Sequence, residues 1–243
     1  MKIELKEHER IDDLIKSGRQ IIQHEKEFRF SLDAVLLAHF PRYHSRDKVL
    51  DLGTGTGVMP LLIADMVQQI EAVEINPVMA DIARRNMELN GLTDKVRVCE
   101  GDYRQIKELY KPESVDVVLA NPPYRPAAHG NLNKLSNVAR ARHEITATLA
   151  DVVRAARYVL RFRGHFFMVH LPERLGEIIV AMHEQQMEIK RLQFVQPKRE
   201  REPNMVLIEG VVGAVKGGLK VMTPLIVHEE DGGYTPELLK YYK

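Results

Sequence analysis

The chain has 243 residues, of which 44% are hydrophobic and 28% charged, which is the composition of a globular protein with a substantial core. Its single cysteine excludes an internal disulfide framework and a cysteine-cluster metal site. The N-terminus lacks the apolar stretch of a secretory signal, and no apolar run approaches the roughly 20 residues that cross a bilayer. We therefore expect a cytoplasmic protein without a membrane contact, and no feature indicates an obligatory protein partner.

The net charge of +1 conceals a segregation of charge along the chain. Residues 121–205 hold 14 Lys and Arg against 8 Asp and Glu, whereas the rest of the chain holds 21 against 26. Such a chain can present a basic face to a polyanion although its total charge is near zero. Solvated helix faces without a partner would give the same counts, so charge alone leaves both interpretations open.

Short apolar runs alternate with helical periodicity from about residue 47 to 170, which is typical of a parallel sheet with helices on both faces. The elements predicted there are, in chain order, strand 48–52, helix 58–67, strand 71–75, helix 77–89, strand 95–99, strand 114–120, helix 145–160 and strand 164–170. A helix to about residue 186 and two strands, 189–195 and 204–211, follow. These two strands lack a long crossover, so they should form an antiparallel hairpin.

We therefore expect an α/β fold with a mostly parallel, seven-stranded sheet, helices on both faces and an antiparallel C-terminal hairpin. The main domain should cover residues 46–213. Residues 1–45 would form an N-terminal appendage, and residues 214–243, which contain several glycines and two prolines, a C-terminal extension.

The glycine-rich stretch after the first predicted strand has the pattern of a ligand-binding loop. It joins a strand to a helix, where glycines let the backbone approach a ligand closely and the helix start offers free N–H groups. Its spacing is G-x-G-x-G and not the dinucleotide G-x-G-x-x-G, which disfavours a pyrophosphate ligand. The candidate ligand contacts in the loop are Asp51, Gly53, Gly55 and Gly57.

Two carboxylates follow the next predicted strands. Glu74 would accept both hydroxyl groups of a ribose, and Asp102 would accept a hydrogen bond from the amine of a base. Each has an ordinary alternative, since Glu74 could cap a helix and Asp102 could belong to a turn. The carboxyl ends of parallel strands share the edge at which open α/β sheets bind ligands. The joint pattern predicts S-adenosylmethionine binding without a metal, and the neighbouring cofactor contacts are Ile75, Tyr103 and Asn121.

Asn121-Pro122-Pro123-Tyr124 directly follows the apolar strand 115–120. The two prolines remove two backbone donors and fix two φ angles, so the chain should leave the sheet in a stiff, extended loop. If Asn121 Oδ1 and the Pro122 carbonyl accept the hydrogens of an amine, its lone pair is aimed at the sulfonium methyl group. Tyr124 would stack on a base swung out of its helix or loop. A rigid turn with a capping asparagine is the structural alternative.

The glycine-rich stretch after the first strand and the Asn-Pro-Pro-Tyr motif resemble those of class I, Rossmann-like methyltransferases that act on amino nitrogens. Further stretches resemble bacterial tRNA adenine-N6 methyltransferases of the valine-tRNA type, namely residues 28–38, 141–144, 164–174 and 194–198. The resemblance covers about residues 25–210 and implies methylation of the adenine just 3′ of the anticodon in a valine tRNA. It also implies S-adenosyl-L-methionine as cofactor, tRNA as partner, and an N-terminal appendage that covers the cofactor or the substrate.

Basic residues near the catalytic loop and in the last predicted turn are the candidate RNA contacts: Arg125, Arg142, Lys198, Arg199 and Arg201. Phosphate contacts from such groups position RNA and make its binding salt-dependent. A protein-glutamine methyltransferase acting on a release factor would use the same chemistry, and a non-catalytic RNA-binding scaffold would keep the same fold. A DNA-adenine enzyme is less favoured, because no sizeable target-recognition insert interrupts the pattern.

Overall fold

The N-terminal part of the computed structural model forms a hairpin and a short helix. The hairpin pairs β1 (Glu9–Leu14) with β2 (Arg19–His24) in antiparallel fashion, and α1 (Leu32–His39) is buried along most of its length. The structure describes residues 3–14, 18–24, 32–124 and 147–242. No helix within these ranges is both long and apolar enough to span a bilayer.

A central sheet forms the middle layer of the fold. Its first five strands are parallel to one another: β3 (Lys48–Leu52), β4 (Gln69–Glu74), β5 (Val96–Glu100), β6 (Val115–Ala120) and β7 (Leu160–His170). The strands that follow them are β8 (Met187–Gln196), β9 (Met205–Val212), β10 (Lys220–Val221) and β11 (Leu225–Ile226). The strand order is β10-β8-β9-β7-β6-β3-β4-β5, and β11 also pairs with β8. Strand β9 is antiparallel to both neighbours, so β8 runs in the same direction as β7.

Helices cover the sheet on both faces. In chain order they are α2 (Val58–Ile63), α3 (Pro77–Leu89), α4 (Ile106–Leu109), α5 (Leu149–Val159), α6 (Leu175–Glu184) and α7 (Pro236–Leu239), with 3-10 turns at Ala64–Met66, Tyr103–Gln105 and Pro172–Arg174. Successive residues of β6 point to opposite faces of the sheet. Leu119 packs in one core with α1 and α2, whereas Val118 packs in a second core with α5 and α6. This arrangement confirms the predicted α/β class.

The predicted elements are present with small shifts at their ends. Helix α3 spans the predicted residues because Asn76 caps its start, Pro77 occupies its first turn, and Gly91 turns the chain with a φ of 65°. Within the described residues, helix α5 begins later than predicted, because Thr148 and Asp151 form a capping box. The predicted antiparallel hairpin is confirmed as β8 and β9.

The C-terminal tail joins the sheet at its edge. Strands β10 and β11 pair in parallel with β8, so two short strands accompany the seven predicted ones, β3 to β9. Farther along the tail, the Tyr241 ring lies 5.4 Å from that of His39 on α1, centroid to centroid. Helix α1 and Leu225 lie outside residues 46–213, yet both pack in the core shared with β3 and β6. The domain boundaries themselves stay predictions.

Two asparagine side chains attach the N-terminal hairpin to α3. Asn86 is fully buried, and its Oδ1 accepts the N–H of Ile22 at 2.6 Å. Its Nδ2 donates to the carbonyls of Ile22 at 3.1 Å and Thr56 at 2.8 Å. One turn further along, Asn90 repeats this pairing with Gln20 at the surface. Asn86 therefore holds the hairpin and the glycine-rich loop to the same helix.

We expect Asn86→Ala to lower the free energy of unfolding by about 2 to 4 kcal/mol, because it leaves the Ile22 and Thr56 backbone groups without partners. Asn90→Ala, whose contacts with the hairpin are exposed, is the matched control and should cost about 1 kcal/mol or less. Urea unfolding followed by circular dichroism measures both values. Equal losses in the two variants would contradict the role assigned to Asn86.

Candidate active site

The loops that carry the predicted site residues lie at one edge of the sheet. Strands β5, β4, β3 and β6 are parallel neighbours, so their carboxyl ends meet there. The glycine-rich loop follows β3, Glu74 ends β4, and Asp102 and Asn121 follow β5 and β6. In open α/β sheets this edge is where ligands bind. The structure thus brings the predicted cofactor and catalytic loops together.

The glycine-rich loop combines an open space with a close helix contact. The N–H groups of Gly53 and Thr54 both donate to the Val73 carbonyl of β4, at 2.9 and 3.0 Å, which fixes the path of the loop. Gly53 has a φ of 76°, and a Cβ built on it would meet no atom within 4 Å. At Gly57 a Cβ would approach Met87 to 2.9 Å, so glycine permits α2 and α3 to pack closely. The space beside Gly53 therefore remains available to a ligand.

Asp51 is a buried carboxylate without a hydrogen-bond partner among the described residues. Both of its oxygens, and Thr54 Oγ1 nearby, are in this condition. Burial raises the pKa of Asp51 to about 7; the nearby Thr54 hydroxyl group partly opposes this shift, and the charge of Glu74 adds to it. A buried, unpartnered carboxylate is costly to the folded protein. Its position at this edge therefore indicates a ligand group that completes its hydrogen bonds.

Glu74 and Ile75 present a carboxylate next to an apolar surface. The Glu74 carboxylate accepts the N–H of Gly55 at 2.8 Å and that of Asn76 at 2.9 Å. Carboxylate oxygens have two lone pairs each, so hydroxyl groups can still bind to them. Ile75 leaves 40% of its surface exposed. A hydroxyl acceptor beside an apolar surface suits a nucleoside.

Asp102 forms an ion pair with Arg104 in this structure. Its carboxylate accepts from Arg104 Nε at 2.7 Å and from the Arg104 backbone N–H at 2.9 Å, which caps a short helical turn. Although burial opposes it, these hydrogen bonds hold the pKa of Asp102 below its ordinary value. Burial raises the pKa of the neighbouring Tyr103, so its phenol stays protonated. Asp102 thus serves as the capping residue of a turn, and its contact with the amine of a base stays a prediction.

The Asn-Pro-Pro-Tyr loop starts beside the glycine-rich loop. Ala120 pairs with Leu52 in the parallel register, so Asn121 and Gly53 begin the two loops next to each other. The Asn121 side chain is half-buried and makes no side-chain hydrogen bond within the part of the chain that the structure describes. No described residue therefore occupies its amide.

Tyr124 is held from two sides. Its hydroxyl group donates to Asp33 Oδ2 on α1 at 2.5 Å, and its ring centroid lies 5.4 Å from that of His170 at the end of β7. Burial and the Asp33 carboxylate raise the pKa of Tyr124. Burial lowers the pKa of His170 to about 4, and its Nδ1 accepts the Leu171 N–H, so the imidazole is neutral near pH 7. Sequence reasoning missed both contacts, and Asp33 is 91 residues away in the chain.

The basic turn between β8 and β9 lies at the same edge of the sheet. Lys198, Arg199 and Arg201 are exposed there. The turn is at this edge because β8 runs in the same direction as β7. In the strand order it is three strands from Asn121, or about 14 Å at the ordinary spacing of strands. Its distance from the catalytic loop is compatible with contacts to one RNA loop.

An acidic segment of the tail lies beside this basic turn. Residues 229–231 are Glu, Glu and Asp, and Lys198 Nζ donates to the Glu230 carbonyl at 3.4 Å. The sequence pattern did not place these acids next to the turn, and they reduce its net positive charge. The other two predicted RNA contacts, Arg125 and Arg142, lie outside the described residues.

The fold and this edge define a Rossmann-like, class I methyltransferase. The defining features are the glycine-rich loop after β3, the acidic residue ending β4 and the antiparallel β9 inserted between β7 and β8. A family model described as the methyltransferase small domain matches residues 32–189. The chain belongs to this family.

Relatives and solved structures extend the likeness over most of the chain. A tRNA1(Val) (adenine(37)-N6)-methyltransferase of Porphyromonas gingivalis is 26% identical over 221 residues, which is 87% of this chain and 86% of that protein. A protein of the same name from Yersinia pseudotuberculosis is 29% identical over 209 residues, covering 84% and 80% of the two chains. The crystal structure of a predicted O-methyltransferase from Agrobacterium tumefaciens has a TM-score of 0.71 at 22% identity, covering 87% of this chain and 95% of that one, and so shares the fold.

Proposed function

We propose that this protein is an S-adenosylmethionine-dependent N-methyltransferase that methylates N6 of an adenine in tRNA. The observation that carries the proposal is the position of the Asn121 amide, which has no partner among the described residues, beside the open space at Gly53. The names of the relatives support tRNA as the substrate and adenine as the base.

The residues at this edge fit the cofactor in their chemistry. The unpartnered oxygens of Asp51 would take its ammonium group, and Glu74 would take its ribose hydroxyls. Ile75 would contact the adenine face and Asp102 the adenine amine. The other predicted contacts line the same loops: Gly53, Gly55, Gly57, Tyr103 and Asn121. When bound, the cofactor supplies an electrophilic methyl group.

The catalytic loop would act by positioning the target amine. An adenine amine is a weak nucleophile because its lone pair is delocalised into the ring. Asn121 Oδ1 and the Pro122 carbonyl would each accept one hydrogen and turn the lone pair toward the methyl group. Pro122 and Pro123 stiffen the loop, so these acceptors need little rearrangement. Methylation makes the nitrogen acidic, so its proton passes to solvent without a dedicated base.

We further infer that the target is adenine 37, just 3′ of the anticodon, in a valine tRNA, which is the nucleotide in the names of the relatives. A base in a loop is already unpaired, so swinging it onto Tyr124 costs less than from a duplex. Cytoplasmic location and the independence from a protein partner stay predictions.

Methyl transfer to a defined transcript tests this function. With labelled cofactor and an unmodified valine tRNA transcript, we expect one methyl group per tRNA, recovered as N6-methyladenosine. The same transcript with guanine at position 37 should accept none. Equal methylation of both transcripts would place the target at another nucleotide, and transfer to neither would contradict the proposed substrate.

Replacement of Lys198, Arg199 and Arg201 by glutamine should raise KM for tRNA about tenfold and weaken its salt dependence, because phosphate contacts are lost. The matched control replaces three cations associated with α5 and the start of β7: Arg154, Arg157 and Arg161. Steady-state kinetics at two salt concentrations measure both effects. An unchanged KM in the turn variant, or an equal rise in the control, would contradict an RNA contact at the turn.

A protein glutamine is the competing acceptor, since its amide could be gripped by Asn121 in the same way. The relatives are named as tRNA enzymes and do not favour it. Arg199 and Arg201 also lack an ion-pair partner among the described residues, and such cations suit phosphates better than a neutral side chain. If the protein were a non-catalytic RNA-binding scaffold, the Asn121 amide would have no role.

A further inference from the structure

We propose that Asp33 is a positioning residue that sets the orientation of the Tyr124 ring and, through it, of the target base. The inference rests on the proposed function, in which Tyr124 stacks on the flipped adenine. Asp33 belongs to the first turn of α1, which is a different part of the chain from the catalytic loop. Asp33 would affect the reaction through its hydrogen bond to Tyr124 and would not contact the base itself.

The contact between the two side chains is short and enclosed. Tyr124 Oη lies 2.5 Å from Asp33 Oδ2, a separation typical of a charge-assisted bond from a hydroxyl group to a carboxylate. Asp33 is only 7% exposed, so water competes weakly for this bond. Asp33 Oδ1 accepts the N–H of Ala34 at 2.8 Å, so the carboxylate is itself fixed. The acceptor is thus in place before a substrate arrives.

His170 supports the same ring from a second direction. The two rings are inclined at 54° with their centroids 5.4 Å apart. His170 is 2% exposed, and the Leu171 N–H on its Nδ1 holds the imidazole in turn. Tyr124 is only half-buried, so a ring held at its hydroxyl group and against His170 still presents surface to a base.

A ring held in advance should affect catalysis more than binding. Ordering the ring before the base arrives removes an entropic cost and keeps the amine aligned with Asn121. Without the anchor, Tyr124 can still stack on a base, but it does so in several orientations. We therefore expect kcat to fall while KM for tRNA changes little.

Variants of the two residues test this expectation. In Asp33→Ala and in Tyr124→Phe, kcat should fall about tenfold, and the double variant should lose no more, because each substitution removes the same hydrogen bond. Asp33→Asn keeps one acceptor oxygen, which can still accept from the Tyr124 hydroxyl group if the Ala34 N–H loses its partner, and it should stay within about threefold of wild type. Tyr110→Phe removes another contact between a tyrosine and a carboxylate, 3.4 Å from Glu71, and should leave kcat unchanged.

Calorimetry with S-adenosylhomocysteine separates positioning from a structural role. Its affinity should be the same in all variants, because neither Asp33 nor Tyr124 is among the proposed cofactor contacts. A wild-type kcat in Asp33→Ala, or additive losses in the double variant, would overturn the proposal. So would a parallel loss of cofactor affinity and kcat, which would indicate a general disturbance of the fold.

Fluorine NMR of protein labelled with 3-fluorotyrosine distinguishes this proposal from the proposed function. The Tyr124 resonance, assigned by its loss in Tyr124→Phe, should shift in Asp33→Ala and lie close to its wild-type position in Asp33→Asn. If this shift is seen while the wild-type protein transfers no methyl group to tRNA, the proposed function fails and the positioning contact stands. If the shift is absent, the positioning contact is refuted whatever the substrate.

Discussion

Asn121→Ala is expected to lower kcat for tRNA methylation by about two orders of magnitude or more, while the affinity for the cofactor stays within a few-fold of wild type. The side chain makes no hydrogen bond within the described residues, so its removal leaves no group of those residues unpaired. The loss should therefore fall on the reacting amine, which keeps only the Pro122 carbonyl as an acceptor. KM for tRNA should change little, because stacking and phosphate contacts remain.

Two control variants make the Asn121 result specific. Asn121→Asp keeps an acceptor oxygen and should lose less activity than the alanine variant. Asn204→Ala removes an exposed asparagine at the same edge, whose side chain makes no hydrogen bond with the residues that the structure describes, and should behave as wild type. Single-turnover rates and calorimetry with S-adenosylhomocysteine give the two quantities. Loss of cofactor binding in Asn121→Ala would show that the side chain serves mainly the cofactor rather than the amine.

Asp51→Asn is expected to stabilise the protein without cofactor and to weaken cofactor binding at least tenfold. In the folded protein the pKa of Asp51 is raised to about 7 from its ordinary value of 3.8, so ionising it costs folding free energy. Asparagine removes that cost, which amounts to about 2 to 4 kcal/mol. The same change removes the negative charge that, in our proposal, binds the ammonium group of the cofactor.

The pH dependence of the Asp51 variant follows from the sign of this shift. The stability gain should be full above pH 7, where the folded protein carries the ionised carboxylate, and should vanish toward pH 4, where Asp51 is protonated in the folded state. Cofactor affinity of the wild type should fall as the pH drops below 7, and that of Asp51→Asn should not. Urea unfolding and calorimetry at several pH values measure these curves.

Asp116→Asn is the matched control for Asp51. The Asp116 carboxylate is satisfied, since it accepts the Lys48 N–H at 2.7 Å and pairs with Arg161 at 2.6 Å. Its replacement should therefore destabilise the protein where that of Asp51 stabilises it. A loss of stability in Asp51→Asn at pH 8 would contradict the claim that the Asp51 carboxylate lacks a partner in the folded protein. An unchanged cofactor affinity would contradict its proposed role in binding the cofactor.

Much of the fold was predictable because its signals are local. Helix α3 begins at Pro77 behind the Asn76 cap and ends before Gly91, so its bounds follow from a few neighbouring residues. The loops of the candidate site were predictable for a related reason. Each follows a short apolar strand, and parallel strands bring their carboxyl ends to one edge.

The missed features depend on contacts between distant segments. Asp33 and Tyr124 meet only because α1 packs against α2 and β7, beside the catalytic loop, and no spacing in the chain records this. Strands β10 and β11 have two residues each, too few to show a periodicity. The acidic residues 229–231 reach the basic turn only because the tail follows β8.

The measurement that tests the central claim most directly offers labelled S-adenosylmethionine to total small RNA and, in parallel, to a total protein extract, followed by product analysis. We expect the label in tRNA as N6-methyladenosine. Label in protein glutamine would contradict the substrate while keeping the chemistry of Asn121. No label in either fraction, with cofactor binding measured in the same preparation, would contradict the claim that the protein is an active methyltransferase.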